Sequence, residues 1–245
     1  MAGRFGEEDG DNDSMTSSVY NYVNNAKLWL PMTAACHDPV NVRTLDKSGS
    51  KFNAQFGDGV TPTKYPTKLS TCGYYLDGGD YLDCGDQALL NFTTTGTVVV
   101  FFKTTVNPSS FQCLVAKQNW TTGNNGYSIW LDYATPSIRV DIRNTVSNNS
   151  VTSSITGGRG VAHFAALVWT GTLVKNYADG YILTTPQTLN PTYLGGIPFR
   201  IGASPQTATF NYSGQIYYVG AWDYALSELQ LRDLEQRLRR QLNDV

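Results

Sequence analysis

From about residue 72 the chain reads as short apolar runs broken at regular intervals by Gly, Asn, Pro or Ser. "CGYYLD", "DYLDC", "TVVVFFK", "FQCLVAK", "GYSIWLDY", "SIRVDIR", "VAHFAALVW", "TLVKNYA", "PFRIGA" and "GQIYYVGAW" each have the length and punctuation of a β-strand. In one of them Ile138, Val140 and Ile142 alternate with Arg139, Asp141 and Arg143, which predicts a half-buried strand with one wet face. "TVVVFFK" has no polar alternation and should be covered on both faces. "KLWLP" (27–31) reads as a first strand, the stretch from there to about 70 as irregular, and "ADGY" (178–181) as a tight hairpin turn. The period changes once, near the end. Ser227 and Gln230 form a capping box, followed by Leu231, Leu234, Leu238 and Leu242 at helical spacing.

About a dozen short strands with no helices between them predict an all-β antiparallel sandwich of jelly-roll type with one C-terminal helix. The expected division is a flexible acidic arm over 1–25, the sandwich over 26–226 and the amphipathic helix over 227–245. At 245 residues such a unit needs no disulfide staples. The four cysteines, Cys36, Cys72, Cys84 and Cys113, form no Cys-x-x-Cys pair and read as buried thiols. A net charge of −2 gives no footprint for nucleic acid, and no run is long and apolar enough for a membrane helix. The leucine stripe must pack on something, either the sandwich edge near "KLWLP" or a homo-oligomeric bundle, most naturally a trimer.

The order of "DKSGSKFNA", "GYYLDGGDYLDCGD", "TVVVFFKTT", "GYSIWLDY", "VAHFAALVWTGTLVKNYADGYIL" and "GQIYYVGAWDYALSELQL" resembles the concanavalin A-like, laminin G-like jelly roll, over roughly residues 27–235. In that family the Asp-Gly-rich stretch builds consecutive strands and their turn. The resemblance implies a fold and leaves function to the site.

Glycosidases on this fold need two carboxylates across the scissile bond. The chain's four glutamates are Glu7 and Glu8 near its start and Glu228 and Glu235 in the predicted helix, so the sandwich has none. Asp132 and Asp141 are the one aspartate pair that a hairpin brings near each other, and no catalysis is expected from them. Asp77 and Asp80 flank Gly78-Gly79 and read as turn caps. Calcium at Asp77 and Asp80 is the competing assignment, since it would need about six to eight oxygen ligands; no other cofactor is expected. His163 reads as structural.

Trp29, Trp130, Trp169 and Trp222 lie in strand patterns and read as core, whereas Trp120 sits in the polar loop "KQNWTTGNNGY". Trp120 with Asn119, Asn124, Asn125 and Tyr127 is the candidate glycan platform: an indole face for sugar C–H groups and amides for hydroxyls. Ser, Thr and Asn richness, the acidic N-terminal arm and the lack of a secretory apolar core suit a protein released by lysis, and the resemblance to laminin G-like domains, frequent among tailed-phage virion proteins, implies one assembled in a host cytoplasm. The expectation is a non-enzymatic phage virion component, bound to other virion proteins and presenting a lectin-like sandwich to surface glycans. The alternative is a free-standing carbohydrate-binding or adhesion domain.

Overall fold

The computed structural model describes residues 23–105, 109–119, 125–133, 137–156, 158, 160–186, 189–193, 195–205 and 210–243. Two antiparallel sheets face each other. In order across the first lie β15 (Tyr181–Pro186), β14 (Leu173–Ala178), β13 (Ala162–Trp169), β8 (Gly96–Thr104), β17 (Ser213–Trp222), β6 (Tyr74–Asp77) and β5 (Thr67–Lys68). β1 (Leu28–Pro31) pairs with the second half of β17. The other sheet runs β12 (Asn148–Ser154), β11 (Ser137–Arg143), β10 (Asn125–Asp132), β9 (Gln112–Asn119), β16 (Arg200–Ile201), β7 (Leu82–Asp83), β4 (Ala54–Phe56), β3 (Arg43–Thr44) and β2 (His37–Asp38).

Between the sheets lies one core, to which β8 contributes Val98, Val100 and Phe102, β10 Tyr127, Ile129 and Leu131, and β11 Ile138, Val140 and Ile142. The alternate residues of β8, Val99 and Phe101, enter a second core on the outer face of the first sheet. That face is roofed by α1 (Glu228–Asn243), whose Leu231, Leu234 and Leu238 are buried beside Trp29, Phe164, Tyr177, Tyr218 and Trp222. β8 is therefore apolar throughout because both of its faces are covered. The capping box is formed: Gln230 N–H donates to Ser227 Oγ at 3.3 Å, and Ser227 N–H to Gln230 Oε1 at 2.8 Å. The stripe packs on the chain's own sheet next to Trp29 of "KLWLP", so it is not available for the trimer. The arm expected over 1–25 lies almost wholly outside the described residues.

Three local expectations hold. All four cysteines are free and buried. Trp29, Trp130, Trp169 and Trp222 are at most 2% exposed. The "ADGY" turn joins β14 to β15 with Asp179 at φ 47° and Gly180 at φ 85°, the two left-handed positions of a two-residue hairpin loop.

Two others are corrected. The Asp-rich stretch 73–86 is not a hairpin. β6 pairs with β17 in the first sheet and β7 with β16 and β4 in the second, so the turn between them carries the chain across the sandwich. Asp77 caps this crossover by accepting Gly79 N–H at 2.7 Å, and Asp80 accepts Asp77 N–H at 3.0 Å. The face of β11 carrying Arg139, Asp141 and Arg143 is also not wet: Asp141 has no exposed surface and Arg143 keeps 5%.

Asp80 is buried, and burial first, then the neighbouring Asp77, pushes its carboxyl up to about 6. A folded-state value above the unfolded one favours the fold at low pH. That contribution is complete below about 3.8 and is lost as pH rises through about 6. Asp80→Asn keeps an oxygen for Asp77 N–H and never ionises. It should stabilise the protein by about 1–2 kcal/mol at pH 8 and by little at pH 4, as read from urea unfolding.

Candidate functional site

Strand alternation sends every second residue of the second sheet outward. The registers align these residues in one row across it. Arg43 pairs with Gln55, Gln55 with Asp83, Asp83 with Arg200 and Arg200 with Ala116. Ser128, Asp141 and Ser150 continue the row over β10, β11 and β12. This outward sheet face, lined with hydrogen-bonding side chains, is used by neither the inter-sheet core nor α1.

The β9–β11 half of the row is covered. Phe210 stands edge-on to Trp130 at 5.7 Å, and its carbonyl accepts Cys113 N–H at 2.8 Å. Beneath it runs a buried relay: Trp130 Nε1–H donates to Ser128 Oγ at 2.6 Å, and Ser128 donates to Gln118 Oε1. Asp141 lies between two guanidiniums, 2.8 Å from Arg139 Nε and 3.5 Å from an Arg143 Nη. Burial pushes the Arg143 guanidinium down, and Asp141 opposes that shift. Such a compensated, shielded network fixes the shape of the face.

The β3–β16 half is open. Arg200 bonds Asp83 Oδ2 through Nε at 2.8 Å, and its guanidinium lies 4.7 Å from the centre of the Tyr81 ring. A cavity of about 310 Å³ opens here, lined by Asn53, Gln55, Asp58 and Asp83 and completed by Gly57, Cys84 and Gly85. This is at the small end of ordinary ligand pockets, about 300–1,000 Å³. Cys84 contributes to the wall, while its thiol, which burial pushes well up, belongs to the inter-sheet core. One strained residue sets the rim. Val42 is a β-branched residue at φ 52°, and its carbonyl accepts Phe56 N–H at 2.8 Å and Gln55 Nε2–H at 2.7 Å. Such conformations persist where the surroundings over-determine them, and they concentrate at ligand sites.

The residues singled out from the sequence do not form one site. Tyr127 is fully buried in the inter-sheet core, stacks on Phe92 at 5.9 Å and donates its hydroxyl to Leu90 O at 2.9 Å. It is packing and offers no ligand surface. Asn125 is buried as well, at the β10 end paired with Asn119. Trp120 and Asn124, with the Asn119 side chain, lie outside the described residues. Asp77 and Asp80 serve the crossover turn. Among the described residues no group of three or more His, Cys, Asp or Glu side chains is placed to hold a metal ion. Asp132 pairs with Ser137 and Asp141 with Ser128, so the two carboxylates are four residues apart along the ladder, about 13 Å. Glycosidic carboxyl pairs stand about 5–9.5 Å apart.

Sequence reading passed over Asn53 and Gln55 because they fall in the stretch it left irregular. A signal was there: Phe52, Ala54 and Phe56 alternate with Asn53 and Gln55, a short half-buried strand.

Solved structures share this architecture at identities that speak to fold alone. The binding domain of botulinum neurotoxin serotype D aligns with a TM-score of 0.66 and 12% identity, over 90% of this chain and 52% of that one. Domain 4 of AbnA, a GH43 extracellular arabinanase from Geobacillus stearothermophilus, in complex with arabinotriose, gives 0.64 and 12%, over 86% and 98%. The Ruminococcus gnavus IT-sialidase CBM40 bound to α2,3-sialyllactose gives 0.54 and 16%, over 68% and 97%. No curated protein sequence matches the chain. Residues 76–232 match the Laminin_G_3 family of the concanavalin A-like lectin/glucanases superfamily, and the chain belongs to that family.

Proposed function

We propose that this protein is a non-catalytic carbohydrate-binding or adhesion domain that meets its glycan on the outward face of the second sheet. The observation that carries this reading is the open half of the cross-sheet row, where amide, carboxylate and guanidinium groups are held in place by bonds to the backbone and to one another around a cavity. Preorganised polar groups beside apolar surface are what a glycan site needs. The arabinotriose complex of the AbnA domain and the sialyllactose complex of the CBM40 domain support the class of ligand. The virion placement expected from the sequence finds no counterpart among these toxin and glycosidase modules, and the free-standing domain is the better-supported form.

One assay tests binding and catalysis together. Incubated with insoluble polysaccharides and with a panel of α- and β-glucans, the protein is expected to deplete from the supernatant with at least one of them while releasing no reducing sugar. Turnover that disappears in Asp132→Asn or Asp141→Asn would make it an enzyme. Failure to bind any glycan, in monomeric and multimerised form alike, would remove the binding reading. Multimerisation matters because a lone shallow site binds with millimolar to micromolar affinity, about 4–8 kcal/mol, and function then relies on several copies.

A further inference from the structure

The hydrogen-bonding valences around the cavity are fixed one by one. Asp46 N–H donates to Asn53 Oδ1 at 2.9 Å, which turns the Asn53 amide nitrogen the other way with two hydrogens to donate. Gln55 is locked in the opposite sense: its Nε2 donates to Asn41 O at 3.2 Å and Val42 O at 2.7 Å, leaving Oε1 as the end that accepts. Gly59, at φ 75°, keeps this orientation possible, because a Cβ there would stand 3.1 Å from Gln55 Nε2. Both carboxylates are already neutralised. Asp58 holds Lys64 at 2.8 Å and the Thr61 hydroxyl at 2.8 Å. Asp83 holds Arg200 and, through Oδ1, Gly85 N–H at 2.7 Å.

We infer that the cavity binds one neutral sugar ring through two neighbouring hydroxyls, one accepting from Asn53 Nδ2 and the other donating to Gln55 Oε1. This assignment rests on the glycan-binding reading above. The donor–acceptor inventory selects the class. A carboxylate or sulfate has no hydrogen for Gln55 Oε1. An ammonium cannot accept from Asn53. A hydroxyl donates and accepts at once, so a vicinal diol satisfies both amides without adding charge.

Two variants test the site. Asn53→Asp retains the oxygen for Asp46 N–H, exchanges the donor for a second acceptor and adds a negative charge. Gly85→Asn places a side chain at the cavity wall at φ 72°, a conformation Asn tolerates, where an added Cβ meets only the Gln87 amide at 3.4 Å. Biotinylated protein, tetramerised on streptavidin, is probed on an array of neutral and acidic oligosaccharides, with thermal melting of each variant. Wild type is expected to bind neutral glycans, and both variants to lose tenfold or more while melting within a few degrees of it. Undiminished binding by both variants would place the site elsewhere, and loss in Trp120→Ala instead would move it to the β9–β10 loop. Preference for acidic glycans would overturn the ligand class. All three outcomes leave the glycan-binding function standing. A wild type that binds no glycan removes that function, and this inference with it.

Discussion

Truncation after Ala225 is expected to leave a chain that no longer folds to a soluble, cooperative state. Leu231 and Leu234 have no exposed surface and Leu238 keeps 1%, so the helix is a wall of the second core. Without it Trp29, Phe101, Phe164, Tyr177 and Tyr218 would face water in one continuous patch. Each buried Leu→Ala replacement costs about 2–5 kcal/mol. Removing three leucines together therefore reaches the whole stability of a typical domain, about 5–15 kcal/mol. The truncated chain should aggregate, or bind a hydrophobic dye with its near-ultraviolet circular dichroism lost. Leu234→Ala, a milder change, should lower the urea midpoint without altering the slope. A soluble truncated protein with an unchanged melting temperature would mean that α1 is an appendage, and the leucine stripe would again be free for a bundle.

Most of the fold is legible in the sequence for one reason. Where a strand's outward face is polar the period is two, as in β11, and where both faces are apolar the run is continuous, as in β8. What periodicity cannot reveal is which sheet a strand joins. "YYLD" and "YLDC" are separated by a Gly-Gly turn that suits a hairpin, yet the two strands part to opposite sheets. Their partners, β17 and β16, lie more than 100 residues further on, beyond the reach of any local pattern. Short strands are missed for a related reason. β2 and β3 have only two residues each, too few to establish an alternation, and their pairing is held by the neighbouring strand.

The site was less legible than the fold. Sequence reading sought polar residues beside an isolated aromatic, which led to Trp120 and to Tyr127. Tyr127 has the same parity on β10 as Ile129 and Leu131, and a strand's parity decides its face whatever the polarity of its hydroxyl. Gln55, Asp83 and Arg200 become neighbours only once β4, β7 and β16 lie side by side. Asp83 and Arg200 are 117 residues apart in the chain, and nothing in either neighbourhood advertises the pair. The wet face expected for Arg139, Asp141 and Arg143 failed on the same ground: β11 lies between β10 and β12, and Arg139 sits 5.5 Å from the centre of the Phe111 ring, outside the strand's own pattern.

Protonation of His163 ties helix, sheet and hairpin turn together, and its loss should be the largest pH effect on stability. The ring is fully buried on β13, and each nitrogen faces an acceptor: Asp179 Oδ2 at 2.6 Å and Gly158 O at 3.0 Å. Two acceptors require two N–H groups, so the imidazolium is the form that satisfies the site. Burial alone would lower its pKa. The bonds to Asp179 and Gly158 and the Asp179 charge outweigh that and the opposing Arg239, and the net shift is upward. Asp179 also accepts Phe164 N–H at 2.9 Å and Arg239 at 2.7 Å. Arg239 reaches Ala162 O at 2.7 Å and Glu235 at 2.8 Å, and Tyr177 O–H donates to Glu235 at 2.7 Å. A folded-state value above the unfolded one gives stability that is fully present below about 6.5 and is lost as pH rises through the folded value. Wild type should therefore lose stability between pH 6 and 9, and His163→Gln should show a flatter profile over that range. Asp179→Ala leaves the buried imidazolium without its carboxylate, a loss of about 3–5 kcal/mol near pH 6 that shrinks as pH rises, while Arg239, with 34% of its side chain exposed, keeps Glu235 and Ala162 O. Parallel pH profiles for wild type and His163→Gln in urea unfolding would show that the buried ring is neutral and that Asp179 holds the helix through Arg239 alone.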